Sequence, residues 1–203
     1  PVTLDADQTW NGGAAGMVVS AVPTLNGHTL TLARNITLDA HGSTVIIGNT
    51  LNETLNVADG SVVRLLYGYL GSEAGALGRL RLNGAGTLLE TPNTFTIGRF
   101  GEGEFEVSGG AKAHTGWASI GAWDSGVGRA TVTGIGSEWT MDENAFIGSY
   151  GRGTLLIDDH GSPVSALTWR LFDRFIERAG PRPVLIEWDT DVPAFEVLVA
   201  EAA

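Results

Sequence analysis

Several residue types and sequence features are missing from this chain, and each absence excludes a class of protein. The 203 residues include no cysteine, so neither a disulfide framework nor a thiolate metal site is available. Only 12 basic residues stand against 23 acidic ones, for a net charge of −11, and the basic residues form no cluster. This balance argues against nucleic acid and anionic membrane surfaces as partners. No apolar run reaches the roughly 18 residues that a transmembrane helix needs.

The short motifs of common enzyme classes are missing as well. The chain contains no dinucleotide-binding, Walker, H-E-x-x-H or G-x-S-x-G motif, although it has 29 glycines. It begins at Pro1 without a basic and apolar leader, so we expect any export signal to lie outside it. The spacing of the glycines therefore carries the prediction of the fold.

An internal repeat occupies the middle of the chain. An apolar residue followed by glycine recurs five times, with steps of 23, 27, 23 and 27 residues. The pairs are Ile47-Gly48, Leu70-Gly71, Ile97-Gly98, Ile120-Gly121 and Ile147-Gly148. Between the pairs lie short runs of alternating apolar and polar residues, which predict strands with one buried face. Because one such strand cannot bury its apolar face alone, the repeat predicts stacked coils.

The predicted fold class is all-β, a parallel β-solenoid (β-helix) with coils of about 23 and 27 residues. Residues 1–43 lack the repeat and are expected to form irregular coils that cap the solenoid, whereas residues 44–157 form its repeats. Beyond them glycine becomes rare, and residues 166–179 show helical spacing that ends at Gly180-Pro181. A short apolar strand at 184–186 and a second helix from Asp191 follow, so residues 158–203 predict a helix–strand–helix α/β appendage.

The repeat resembles a known family. The residues that carry the likeness are Ile97-Gly98, Gly101, Gly103, Val107, Gly109-Gly110, Ile120-Gly121, Gly126, Gly128, Val132, Gly134, Gly136-Ser137 and Trp139. This pattern resembles the repeat associated with type V secretion and PEP-CTERM proteins, found in passenger regions of bacterial autotransporters. The resemblance covers about residues 44–157 and implies a surface-exposed solenoid.

The end of the chain resembles a different family. Two runs carry this likeness, Asp158-Asp159-His160-Gly161 and Leu185-Ile186-Glu187-Trp188-Asp189. They resemble the C-terminal end of the multinuclear non-haem iron-dependent oxidative enzymes, which are TIM barrels. By this resemblance Asp158 and His160 match an Asp-x-His pair of iron ligands, and Glu187 matches a ligand at the end of the last barrel strand. Carboxylate oxygens and imidazole nitrogens are donors that suit iron.

The two resemblances meet near residues 155–158. A TIM barrel takes about 250 residues, and the solenoid occupies the part of the chain where the other ligands of such a barrel would lie. The chain is therefore interpreted as a chimeric junction of two unrelated pieces. A natural fusion, a misassembled reading frame and an engineered join are all compatible with this sequence.

Three tryptophans are candidates for a glycan-binding platform: Trp117, Trp123 and Trp139. An elongated solenoid offers a long face on which such rings can be presented. Their spacing is not the i, i+2 spacing of one face of a strand, so packing in the core or at coil edges is the alternative.

We expect a structural protein, either a spacer or an adhesin-type stalk like an autotransporter passenger, with no catalysis and no cofactor. One alternative is an iron-binding remnant or a member of the iron-dependent oxidative enzymes, with iron as the cofactor. A second alternative is a glycan-binding module. The expected location is extracellular or the outer-membrane surface of a bacterium, with host or cell-surface glycans or proteins as candidate partners and no nucleic acid.

Overall fold

The chain forms two parallel β-sheets that stack as a solenoid of about six turns, followed by one helix. The computed structural model describes residues 2–158, 166–180, 194, 196 and 197. Residues 1–158 form one compact unit and residues 159–203 a second. The predicted parallel β-solenoid is confirmed.

The first sheet contains seven parallel strands in the order β1-β3-β5-β7-β9-β11-β14. Their bounds are β1 Gln8–Asn11, β3 Thr29–Ala33, β5 Glu53–Ala58, β7 Leu77–Asn83, β9 Glu102–Ser108, β11 Val127–Thr133 and β14 Arg152–Asp158. From β3 to β14 the register advances by a constant 25 residues, as in the pairings of Leu80 with Phe105 and of Phe105 with Ala130. One coil therefore places each residue directly over its counterpart in the coil before it.

The second sheet is also parallel, but its register is irregular. Its strands are β2 Met17–Val19, β4 Ile36–Ile47, β6 Val62–Leu70, β8 Leu88–Ile97, β10 Lys112–Ile120, β12 Glu138–Met141 and β13 Ala145–Ile147. β12 and β13 both pair with β10, and bulges shift the register inside β4, β6 and β10. Since the first sheet keeps a constant offset, the alternation of 23 and 27 residues arises at these bulges.

The core is a column of apolar side chains between the two sheets. Alternate residues of each strand point inward, and Leu30, Leu55, Leu80 and Phe105 are fully or almost fully buried at successive levels. Phe95 of the second sheet packs edge-on against Phe105, with 4.9 Å between the ring centroids. Parallel stacking buries these side chains because each coil covers the apolar face of the one before it.

Residues 1–43 contribute strands to both sheets. β3 already follows the 25-residue register of the repeats, and β4 continues across position 43 to Ile47. No apolar-Gly pair marks these strands, which is why the repeat is not visible in this part of the sequence.

The predicted helix is confirmed as α1, Ala166–Ala179. Gly180 has a φ of 72° and its amide donates to the carbonyl of Ile176 at 2.9 Å, which ends the helix as expected. The predicted strand at 184–186 and most of the predicted second helix lie outside the described residues. No described helix has the length and apolar character that crossing a bilayer requires.

Candidate functional site

The predicted iron ligands lie at the end of the solenoid and beyond it. Asp158 is the last residue of β14, where its backbone is in register with Thr133 of β11. His160 and Glu187 lie outside the part of the chain that the structure describes. Among the described residues, no group of three histidine, aspartate or glutamate side chains is placed to hold a metal ion. The ligand set of Asp158, His160 and Glu187 therefore stays a prediction.

Two histidines of the second sheet are paired with aspartates at the surface. The Nε2 atom of His114 lies 2.9 Å from Oδ1 of Asp142, and Nδ1 of His41 lies 2.7 Å from Oδ1 of Asp39. The hydrogen bond from the His41 ring lowers the pKa of Asp39 below its ordinary value. Sequence reasoning missed the first pair because its members are 28 residues apart and meet only through the pairing of β10 with β12.

Trp139 is a core residue. Its ring packs edge-on against Phe95 and Phe105, with centroid distances of 6.4 and 5.0 Å, and its indole N–H donates to the hydroxyl of Thr115 at 3.1 Å. Trp139 lies in register with Ala113, so the large ring covers a level of the core where the preceding coil has a small side chain. Of the two readings of the three tryptophans, core packing therefore describes Trp139.

Trp117 and Trp123 are exposed and belong to two separate aromatic stacks. Trp123 lies between Phe100 and Tyr150, with ring centroids 5.9 and 5.8 Å away and the rings nearly parallel. Trp117 stacks on Phe146 at 5.9 Å. Both faces of Trp123 are covered by neighbouring rings, so only its edges are open to a ligand. Glycan contact by Trp117 and Trp123 stays a prediction, while Trp139 does not share a face with them.

A shallow cleft on the outer face of the first sheet carries opposite charges. It encloses about 400 Å³ and is lined by Arg81, Glu104, Phe105, Glu106, Arg129 and Thr131. The Nε atom of Arg79, which lies beside the cleft, is 2.6 Å from Oε2 of Glu104, and Nε of Arg81 is 3.4 Å from Oε2 of Glu106. These carboxylates are committed to ion pairs across strands, which makes the cleft a stabilising charge ladder.

Comparison with known proteins places the enzyme resemblance at the C-terminal end of the chain. Residues 138–203 match the family model described as RiPP precursor modification enzyme MbnB/TglH/ChrH. RiPPs are ribosomally synthesised and post-translationally modified peptides. The match includes β12, β13 and β14 as well as the second compact unit.

Curated relatives show the same partial likeness. A UPF0276 protein of Caulobacter sp. (strain K31) is 59% identical over 51 residues, which are 25% of this chain and 18% of that protein. A UPF0276 protein of Vibrio parahaemolyticus is 55% identical over 51 residues, with the same two shares. One from Acaryochloris marina is 55% identical over 47 residues, 23% of this chain and 17% of that protein. The chain thus spans less than a fifth of the length of these relatives. No solved structure matches it.

These matches correct the functional predictions. The prediction of a non-catalytic surface-display stalk is wrong, because the matched family consists of enzymes that modify peptide precursors. The terms autotransporter, type V secretion and adhesin fall with it, and the autotransporter resemblance of residues 44–157 has no support from the comparisons. The prediction of no cofactor is also wrong, since the second resemblance, which the family model supports, is to iron-dependent enzymes.

Proposed function

We propose that residues 138–203 form the C-terminal part of an iron-dependent enzyme that modifies a ribosomally made peptide precursor. The observation that carries the proposal is the family match, which spans the second compact unit and begins inside the last coil of the solenoid. Glycine becomes rare and the apolar-Gly repeat ends in the same stretch. The change in sequence pattern and the family match therefore mark the same region.

The surface of α1 supports this assignment. Leu171 and Phe175 lie on its apolar side, yet they are 51% and 53% exposed. Trp169 and Phe172 contact each other edge-on, with 5.8 Å between their centroids. A helix of an α/β barrel buries one apolar face against the strands of the barrel. The amphipathic character of α1 is what such a helix needs.

Asp158, His160 and Glu187 are the proposed iron ligands, two carboxylates and one imidazole, and this donor set suits iron. The described residues alone do not form a metal centre, because only the backbone of Asp158 belongs to them. No step of the reaction is therefore assigned to a residue of this chain.

Iron content tests the proposal. The full chain is produced with iron available, purified and analysed for bound metal, beside the variants His160→Ala and Glu187→Ala. We expect stoichiometric iron in the unchanged chain and loss of most of it in both variants, since each removes one donor. His41→Ala is the matched control, because it removes an exposed histidine that also lies beside an aspartate.

Two results contradict the proposal. One is an unchanged chain with no iron above background. The other is iron that both variants retain as fully as the His41→Ala control, which would mean that the metal is bound elsewhere. Circular dichroism of each variant checks that the solenoid is intact.

A further inference from the structure

The C-terminal end of the solenoid is an open edge. β14 pairs with β11 on one side, and β12 and β13 pair with β10 on one side. Among the described residues, no strand pairs with the other side of any of these three. Their outer backbone N–H and C=O groups are therefore available to a further strand.

Apolar side chains that are buried in every earlier coil are exposed at this end. Ile147 is 48% exposed, whereas Ile120, directly below it, is fully buried. Ile157 is 52% exposed, whereas Val132 below it is 8% exposed. The end of the solenoid thus presents both unpaired backbone groups and an apolar section through the core.

An aromatic column ends at the same edge. Phe100, Trp123 and Tyr150 stack on successive coils, and Tyr150 is 70% exposed. At the other end of the column, the guanidinium of Arg99 lies 5.4 Å from the centroid of Phe100 and 5.0 Å from that of Tyr69. No cation or further ring covers Tyr150 among the described residues. A cation on its free face would repeat at this end the contact that Arg99 makes at the other.

The charge of the last coil also favours a basic partner. Residues 138–158 contain four acidic residues and one basic residue, and the one neighbouring ion pair, between Lys112 and Glu138, leaves the acids in excess. A second copy of this chain would bring the same acidic excess against it, whereas a basic segment complements it.

We propose that this open end, formed by β12, β13, β14 and Tyr150, docks an extended basic peptide as an additional strand. Backbone hydrogen bonds to a sheet edge supply affinity in this mode, and alternate side chains supply specificity. The inference rests on the proposed function for the identity of the peptide, which would be a segment of the ribosomally made precursor.

A designed peptide tests the docking directly. The probe has seven residues, the length of β14, alternates lysine and valine, and carries fluorescein for anisotropy measurements with the full chain. We expect saturable binding of this probe. A second peptide with proline in place of each valine lacks the amide hydrogens that a strand donates, so it is expected not to bind.

Two pairs of variants locate the site. Tyr150→Ser is expected to weaken binding about fivefold, the size of an exposed cation–π contact, whereas Tyr150→Phe keeps the ring and the affinity. Ile157→Lys places a charge at the edge and is expected to weaken binding about tenfold. Ile135→Lys makes the same change at an exposed turn residue away from the edge and is expected to bind as the unchanged chain does.

The inference is overturned if the lysine–valine peptide does not bind, or if the proline peptide or all four variants bind equally well. It is also overturned if sedimentation shows a dimer that Ile157→Lys converts to a monomer, since a second copy would then occupy the edge. Iron content is measured separately, so a chain that holds iron but fails to bind the peptide contradicts this inference alone.

Discussion

Adding one methyl group at Gly103 is expected to destabilise the solenoid strongly. Gly103 of β9 lies in register with Gly78 and Gly128, so glycine occupies this level in successive coils. A Cβ atom built on Gly103 would lie 2.8 Å from the carbonyl carbon of Ile97 and 3.0 Å from Cα of Gly98. Both neighbours are backbone atoms of the preceding turn, which cannot rotate away as a side chain can.

The expected loss follows from that geometry. Overpacking a well-filled site costs about 1–3 kcal/mol, and contact with fixed backbone places Gly103→Ala at about 3 kcal/mol of unfolding free energy. Gly75 is a matched comparison, because it has a φ of 84° and nothing lies within 4 Å of its added Cβ. Gly75→Ala is therefore expected to cost only about 1 kcal/mol, from the backbone conformation. Gly42 has neither constraint, so Gly42→Ala is expected to change stability by less than about 0.5 kcal/mol.

Urea denaturation followed by far-ultraviolet circular dichroism measures all three variants against the unchanged chain. The order of midpoints should be Gly42→Ala, then Gly75→Ala, then Gly103→Ala, with the largest gap before the last. A midpoint for Gly103→Ala equal to that of Gly42→Ala would refute the reasoning. The close approach of backbone would then not be the reason for glycine at this level.

Three further predictions concern polar side chains. The hydroxyl of Thr91 is buried and has no hydrogen-bond partner among the described residues, so Thr91→Val should raise the unfolding free energy by about 1 kcal/mol in the same urea assay, whereas Thr115→Val, which removes the acceptor of an indole N–H, should lower it by about as much. The carboxylate of Glu53 accepts from two turn amides, at 2.8 and 3.3 Å, so Glu53→Gln should cost about 2 kcal/mol by leaving one amide without an acceptor; an unchanged urea midpoint would contradict this. The lowered pKa of Asp39 means that its pairing stabilises the fold above the ordinary carboxyl pKa and stops doing so as the pH falls through the lowered value; His41→Ala should raise that pKa toward its ordinary value, measured by carbon NMR titration of the carboxyl group.

The repeat could be predicted because it is a local and periodic property. A parallel stack returns to the same level after one coil, so Leu80, Phe105 and Ala130 recur at a constant spacing and show their alternation to the sequence. The helix could be predicted for the same reason, and its observed bounds of Ala166–Ala179 equal the predicted ones. Both predictions need only residues that are close in the chain or separated by a fixed period.

The candidate site could be predicted only in part. Resemblance to a family supplied Asp158, His160 and Glu187, and the comparisons support the enzyme family but not a structural role for the chain. The role of Trp139 followed from its register with Ala113, which composition and spacing did not show. A tryptophan on a strand points inward or outward by its place in the alternation, and the bulges of the second sheet change that place.

The sequence by itself determined the solenoid, the length of its coils and the helix that follows, because each of these is written in short-range or periodic patterns of apolar residues and glycine. Only the tertiary structure decided which side chains the last coil leaves uncovered, that Phe100, Trp123 and Tyr150 form one column, and that His114 meets Asp142. These features depend on which coil lies above or below a residue, and adjacency between coils exists only once the strands have paired.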